Sequence, residues 1–241
     1  MRPLLEALRS SPLSPASLGI LLSYLAVALT LMVTGLHQRR LRARLGDEMG
    51  MWLYFALFFL LLAALPVVIV CVAERDPNRV FAAFGLRGGD WRMGLPILAL
   101  ALPVAALISV FASKSPAMKE HYPFSKAACS NDGRFIAYEL GYIVLYYTAW
   151  EFLYRGLLFL PLVGSVGLLA AASISTALSV LHHIGQPDSE TTGALLGGYL
   201  LCAVAFLTNS ILYSIAIHAT LGVSNDLFIY LRYHRGKDSP V

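Results

Sequence analysis

The sequence predicts an all-α fold, a polytopic bundle of about seven transmembrane helices with a polar, catalytic-type cavity in the last four. Three observations carry that prediction. Of the 241 residues 58% are hydrophobic and 13% charged, with mean hydropathy +0.68, whereas soluble domains sit nearer half apolar and a quarter charged. The apolar runs are continuous rather than alternating, and lipid cannot hydrogen-bond a bare backbone, so helices are selected over strands. Every ionisable residue expected at membrane depth falls in the second half of the chain.

The spans follow in order at about 16–36, 51–73, 93–112, 134–163, 166–182, 191–208 and 210–232. The fourth is long for one crossing. Residues 163–167 (VGSVG) supply the turn after it, and Asn209 marks the turn before the seventh. The opening residues lack the charged-then-apolar-then-small order of a cleaved signal peptide, so the first span is expected to serve as the targeting signal. The chain divides into an N-terminal helical part (1–133), a core (134–232) and a polar tail (233–241), without an internal repeat or a low-complexity tract.

The formal net charge is +4. The basic residues lie in short loops between spans, where they set topology, and do not suggest a nucleic-acid partner. Arg39, Arg40, Arg42 and Arg44, then Lys114, Lys119, Lys126 and Arg134, then Arg232, Arg235 and Lys237 fall on one side. They outnumber Arg2, Arg9, Arg75, Arg79, Arg87 and Arg92 on the other. The expectation is a multi-pass protein of the cell (inner) membrane with a cytoplasmic C-terminus. Cys71, Cys129 and Cys202 are far apart and form no CxxC pair.

Within this apolar chain, ionisable groups at membrane depth are costly unless paired or functional, roughly 2.5–3.5 kcal/mol each on insertion scales. Glu151 and Arg155 are four apart and share a helix face, so they can pair, and a purely structural ion pair would explain them. Further polar groups accompany them. The stretch LHHIGQPDSE brings His182, His183 and Glu190, and IHATLGVSND brings His218, Asn225 and Asp226. At 1.5 Å per residue Glu151 lies about 18 Å, and His183 about 24 Å, from the turn at 163–167. By the same rise His218 lies about 14 Å and Asp226 about 26 Å beyond Asn209. Glu151, Arg155, His183, Glu190, His218 and Asp226 are therefore expected to share one polar cavity.

A carboxylate and two imidazoles in a dry pocket suit activation of water for amide hydrolysis. A serine route is less suited: Ser179 lies one turn before His183, but no acid backs that histidine as in a triad. Zinc competes, because two His and one Glu make a catalytic ligand set. No HExxH spacing occurs, however, and the expectation is that no cofactor is used.

WEFLYRGLLF, LHHIGQPDSE and IHATLGVSND resemble, in that order, the three motifs of the CAAX protease and bacteriocin-processing family (CPBP, or Abi) of intramembrane endopeptidases: EExxxR, FxxxH and HxxxN or a variant. The form WEF…RG is similar to a bacterial subgroup. The resemblance covers about 135–232, and GLRGGDWRMG (85–94) also resembles the stretch before a span of that family. It implies a protease acting on a membrane-tethered or lipidated peptide, or on a sorting-signal tail, within the bilayer. Glu151 matches the second Glu of the first motif and Arg155 its Arg; His183 and His218 match the histidines of the second and third. Trp150 stands where the family has its first Glu, Ser179 where it has Phe, and Gly222 where it often has Asn. The roles implied are water activation or electrostatics for Glu151, held by Arg155. His183 and His218 orient the water and stabilise the oxyanion, with Glu190 and Asp226 in support; in the subgroup that the chain resembles, Glu151 or Glu190 takes the base role. Two alternatives stay open: a non-catalytic binding or immunity protein on the same scaffold, and a proton-coupled transporter.

Other residues have plainer expectations. Glu139 is placed at the interface near Arg134, and Tyr138, Tyr142, Tyr146, Tyr147 and Tyr154 are read as packing and interfacial anchors. His182 points about 100° away from His183. His37 borders the arginine cluster, and His121 and His234 are loop residues. The polar segment 114–134 is read as a connector.

Overall fold

The computed structural model describes residues 12–234, which are helical throughout apart from short connections. Arg2, Arg9, Arg235 and Lys237, and the tail beyond 234, lie outside the described residues. The helices are α1 (Pro15–Thr34), α2 (Gln38–Leu45), α3 (Asp47–Glu74), α4 (Pro77–Ala83), α5 (Trp91–Ala112), α6 (Pro116–His121), α7 (132–157), α8 (Leu160–Val166), α9 (Leu168–His182), α10 (Asp188–Thr208) and α11 (Leu212–His234). Four of them, α1, α3, α5 and α10, are long and apolar enough to cross a membrane, and α9 is a shorter apolar helix. Their outward faces carry large apolar side chains, such as Val27, Leu100, Leu107, Phe111, Leu169 and Leu196. This is the surface a membrane protein presents to lipid, and the fold is that of a polytopic helical bundle.

Local sequence sets the helix ends. Ser14 caps α1 by accepting from the Ser17 amide, with Pro15 in the first turn. Asp90 caps α5 by accepting from Arg92 and Met93, and Asn131 caps α7 by accepting from Arg134. Asn209 turns the chain between α10 and α11 in the left-handed region (φ 52°), which asparagine tolerates better than most residues.

Lipid offers no hydrophobic drive for helices to associate, so contacts depend on close packing and on small polar side chains. The Ser109 hydroxyl donates to the Leu221 carbonyl (2.6 Å), joining α5 to α11. Ser175 donates to the Tyr154 carbonyl (2.8 Å), joining α9 to α7, and Ser214 to the Leu201 carbonyl (3.0 Å), joining α11 to α10. Helix α3 meets α7 through aromatic rings. Phe55 stacks on Tyr142 (5.2 Å, 10°), Phe58 packs on Tyr146 (4.7 Å), and Phe58 stacks on Trp150 (6.2 Å, 11°). Each such pair contributes about 0.5–1.5 kcal/mol beyond its burial. The five tyrosines of α7 are therefore packing residues, all buried.

The two ends of the bundle differ. At one, the 85–90 segment clasps the α10–α11 turn. The Asp90 amide donates to the Thr208 carbonyl (2.7 Å), the Ile211 amide to Gly85 (3.1 Å), and the Tyr213 hydroxyl to Gly88 (2.9 Å). Gly89 has φ +64°, and a Cβ there would sit 2.3 Å from the Thr208 oxygen, so this contact requires glycine. At the other end α2, the 114–131 segment and the close of α11 converge. Asp47 accepts from the Ser125 hydroxyl (2.7 Å) and the Ala127 amide (3.0 Å), and Arg134 pairs with Glu48 (3.6 Å).

Two expectations are corrected here. The segment 114–134 is not a plain connector: Tyr122, Phe124 and Ser125 are buried. The Phe124 ring finds an aromatic wall in Tyr142 and Tyr146, Tyr122 stacks on Phe124 (4.9 Å), and Asp47 fixes the backbone behind them. Glu139 does not reach the interface: it is buried beside Asp226. Eleven residues before Trp150, it returns to the inward face of α7, while Arg134 is occupied outside by Glu48.

Candidate active site

Helix α7 is not uniform. Residues Tyr142–Tyr147 and Phe152–Leu157 adopt π-helical turns on either side of the α-helical Thr148–Glu151. Such wide turns are rare and often mark functional segments. Here they flank the pair that the sequence singled out. Glu151 is fully buried and Arg155 nearly so. Arg155 donates Nη1 to Glu151 Oε1 (3.2 Å), and His218 Nδ1 lies 2.6 Å from the same oxygen. A carboxylate oxygen only accepts, so His218 carries its proton on Nδ1 in this contact and turns Nε2 away. Glu151 Oε2 is buried without a hydrogen-bond partner among the described residues.

His183 is buried at the end of α9. Its Nδ1 lies 2.7 Å from the Ser179 carbonyl, which again fixes the proton on Nδ1 and leaves Nε2 as the lone pair of the neutral ring. It is a close neighbour of Glu151. Trp150 forms the wall between these groups. Its buried indole lies edge-on to His183 (4.9 Å) and to His218 (6.1 Å), and against His182 (4.7 Å). His182 is diverted from the centre by the Tyr154 hydroxyl, 2.7 Å from its Nδ1.

Three of the six residues singled out in the sequence are joined by direct hydrogen bonds: Glu151, Arg155 and His218. His183 adjoins them through Trp150. The other two stand apart. Glu190 Oε1 accepts from the Tyr122 hydroxyl (2.5 Å), and Asp226 accepts from its neighbour Asn225 (3.3 Å), facing Glu139 two helical turns beyond His218.

Tyr122, which the sequence reading left unassigned, and Tyr147, which it read as a packing or anchoring residue, both contribute. Tyr122 lies in a loop, and no local pattern aims it at Glu190. The Tyr147 ring stands edge-on to His218 (4.9 Å, 62°), and its hydroxyl lies 1.5 Å from where a Cβ at position 222 would be. Gly222 therefore makes room for the tyrosine, and Asn225 and Asp226 do not fill that space. The glycine one turn after His218 was the available signal.

Among the described residues no three His, Cys, Asp or Glu side chains form a metal-binding group. The arrangement holds one carboxylate rigidly with a free oxygen, beside two imidazoles with outward-facing Nε2 atoms, away from bulk water. That is equipment for moving a proton to and from a small polar molecule.

These features define a helical membrane protein with an acid–imidazole centre assembled from three helices inside the bundle. Residues 134–223 match the family described as type II CAAX prenyl endopeptidase Rce1-like, the group that the three motifs resemble. The match contains Glu151, Arg155, His183, Glu190 and His218 and ends before Asn225 and Asp226. At the level of the family it supports a protease of the CAAX type in the membrane. No curated protein and no solved structure matches the chain.

Proposed function

We propose that this protein is an intramembrane endopeptidase that hydrolyses a peptide bond in a membrane-tethered, prenylated or otherwise lipidated peptide. The observation that carries the reading is the state of Glu151. One oxygen is fixed by Arg155 and His218, and the other is buried without a protein donor. Water seated against Oε2 gives up a proton to that oxygen as its own oxygen attacks the scissile carbonyl. His183 Nε2 accepts the second hydrogen of the same water and sets its direction. The proton held on Glu151 then passes to the departing amine, so the carboxylate is restored. Arg155 keeps the carboxylate in place, and His218 orients it and balances the charge that develops on the carbonyl oxygen. Glu190 and Asp226 support the site from its two flanks. Such a site uses no metal or organic cofactor. The protein is read as an inner-membrane, multi-pass enzyme with its C-terminus in the cytoplasm.

The test is cleavage of a tethered, prenylated peptide by the purified protein in lipid nanodiscs. Glu151→Gln keeps the shape of the cradle but does not take up the proton, and is expected to lower kcat by at least about 100-fold. Glu190→Gln is expected to lower it much less. Equal cleavage by wild type and Glu151→Gln removes Glu151 as the base. A second reading, a non-catalytic binding protein, draws on Trp150, which fills the first-motif position with a buried indole. Absence of cleavage by the wild type, with retained binding of the tethered peptide, favours that reading.

A further inference from the structure

Helices α7 and α11 lie side by side and antiparallel, and two ring contacts fix their register. Tyr147 meets His218 (4.9 Å) at the acid–imidazole centre, and Phe135 stacks on Tyr230 (4.1 Å, 8°) near the polar end. Steps of four residues back along α7 and forward along α11 keep to the facing sides of the two helices. The step just before Phe135 and Tyr230 sets Glu139 against Asp226, and the two are close neighbours. Glu139 is 6% exposed and Asp226 0%, and Asn225 beside it is 5% exposed.

Four oxygens of this cluster are buried without a hydrogen-bond partner among the described residues: Oε1 and Oε2 of Glu139, Oδ2 of Asp226 and Oδ1 of Asn225. Buried polar atoms are ordinarily satisfied. The Asn225 amide donates Nδ2 to Asp226 Oδ1 (3.3 Å), so the same planar group holds its unpartnered oxygen beside the carboxyl pair. Neither carboxyl forms an ion pair among the described residues. The Lys126 ammonium, a neighbour of Asp226, is held by the carbonyls of Lys119 and Tyr122 (2.7 and 2.6 Å).

Two carboxyls buried together are kept by sharing a proton or by holding a cation. One shared proton matches two of the four oxygens and leaves the other two unmet, whereas a cation matches all four. Two carboxylates balance two positive charges. The donors are all oxygen, two carboxyls and one amide, which suits magnesium or calcium rather than zinc or copper.

We infer that Glu139, Asn225 and Asp226 bind a hard divalent cation that ties α7 to α11 two helical turns from the acid–imidazole centre. The inference does not depend on what that centre does. Helix α7 carries Glu151 and Arg155, and α11 carries His218. The cation therefore joins the same two helices as the contact between Glu151 and His218 (2.6 Å) and holds their register. Glu139 lies about 10 Å along α7 from the helix start at 132, so the cation reaches the site from the polar end.

Binding is measured with the full-length protein in zwitterionic nanodiscs freed of metal, by equilibrium dialysis against calcium and against magnesium, and by thermal unfolding with and without each. One cation per chain is expected, with a rise in melting temperature of about 5 °C when the site is filled. Glu139→Gln and Asp226→Asn keep the shape of the side chain and remove its charge. Each is expected to weaken binding by about 100-fold and to abolish the rise. Asn225→Ala keeps both carboxyls and is expected to weaken binding by about tenfold; it carries the test if the carboxyl variants do not fold. Glu151→Gln is expected to bind the cation as the wild type does, which separates this site from the acid–imidazole centre. Four results would each overturn the assignment: no binding of either cation by the wild type at about 10 mM, binding that survives both carboxyl variants, binding unchanged in Asn225→Ala, or binding lost in Glu151→Gln. A wild type indifferent to both cations beside a more stable Glu139→Gln would give the pair a shared proton instead.

Discussion

The two ends of the bundle solve opposite problems. At the clasped end, backbone groups of 85–90 and 208–211 satisfy one another directly, and the fit is so close that position 89 admits no side chain. At the polar end, side chains do the joining: Tyr122 with Glu190, Ser125 with Asp47, and Lys126 with the carbonyls of Lys119 and Tyr122. Several buried polar atoms there have no partner among the described residues, on Glu139, Glu190, Asn225 and Asp226. Backbone pairing costs little to maintain and allows little movement. Side-chain pairing can exchange one partner for another.

The largest test of this contrast is a pair of glycines. Gly89→Val meets the Thr208 carbonyl at a positive φ, and the loss of stability is expected to be about 3 kcal/mol or more. Gly185→Ala lies at the polar end, also at positive φ (+92°), but with nothing within 4 Å of the new Cβ. Only the backbone cost of roughly 1 kcal/mol applies there. Thermal unfolding in one detergent ranks the two, and equal losses would erase the distinction between the ends.

A smaller effect is expected from Tyr122→Phe. It leaves the ring in place against Phe124 but removes the hydroxyl from Glu190, a loss of about 1 kcal/mol. Proteolysis within 114–131 is the readout, and faster cutting shows that the hydrogen bond holds the segment down.

The smallest concerns pH. His121 titrates near 4 when folded and near 6.5 when unfolded. Below 6.5 the unfolded chain therefore binds more protons at this residue than the folded one, so stability falls as pH drops from 6.5 toward 4. His121→Gln is expected to flatten that part of the melting-temperature profile. An unchanged profile removes His121 as its source.

Much of this architecture was legible in the sequence because it follows from apolar length and helical rise. Counting residues from the turns at 163–167 and Asn209 brought Glu151, His183 and His218 into one layer, and their order along the chain matched the three motifs. The Glu151–Arg155 pair was legible because α-helical neighbours four apart meet. The π turns on either side were not, since no simple residue pattern encodes an i+5 bond. Tyr122 on Glu190 and Tyr147 over Gly222 were hidden for a different reason: each joins residues more than 60 positions apart, and neither repeats with a helical period. Glu139 was misplaced because a nearby arginine on the same helix suggested a partner, while the partner Arg134 takes is Glu48 on α3.

The indole of Trp150 is enclosed by the rings of His182, His183 and His218 and is almost wholly shielded from solvent. The chain has two other tryptophans, Trp52 and Trp91. With both replaced by phenylalanine, the remaining fluorophore would sit against the three histidine rings, and its emission would register the arrival of an occupant beside His183 without any label.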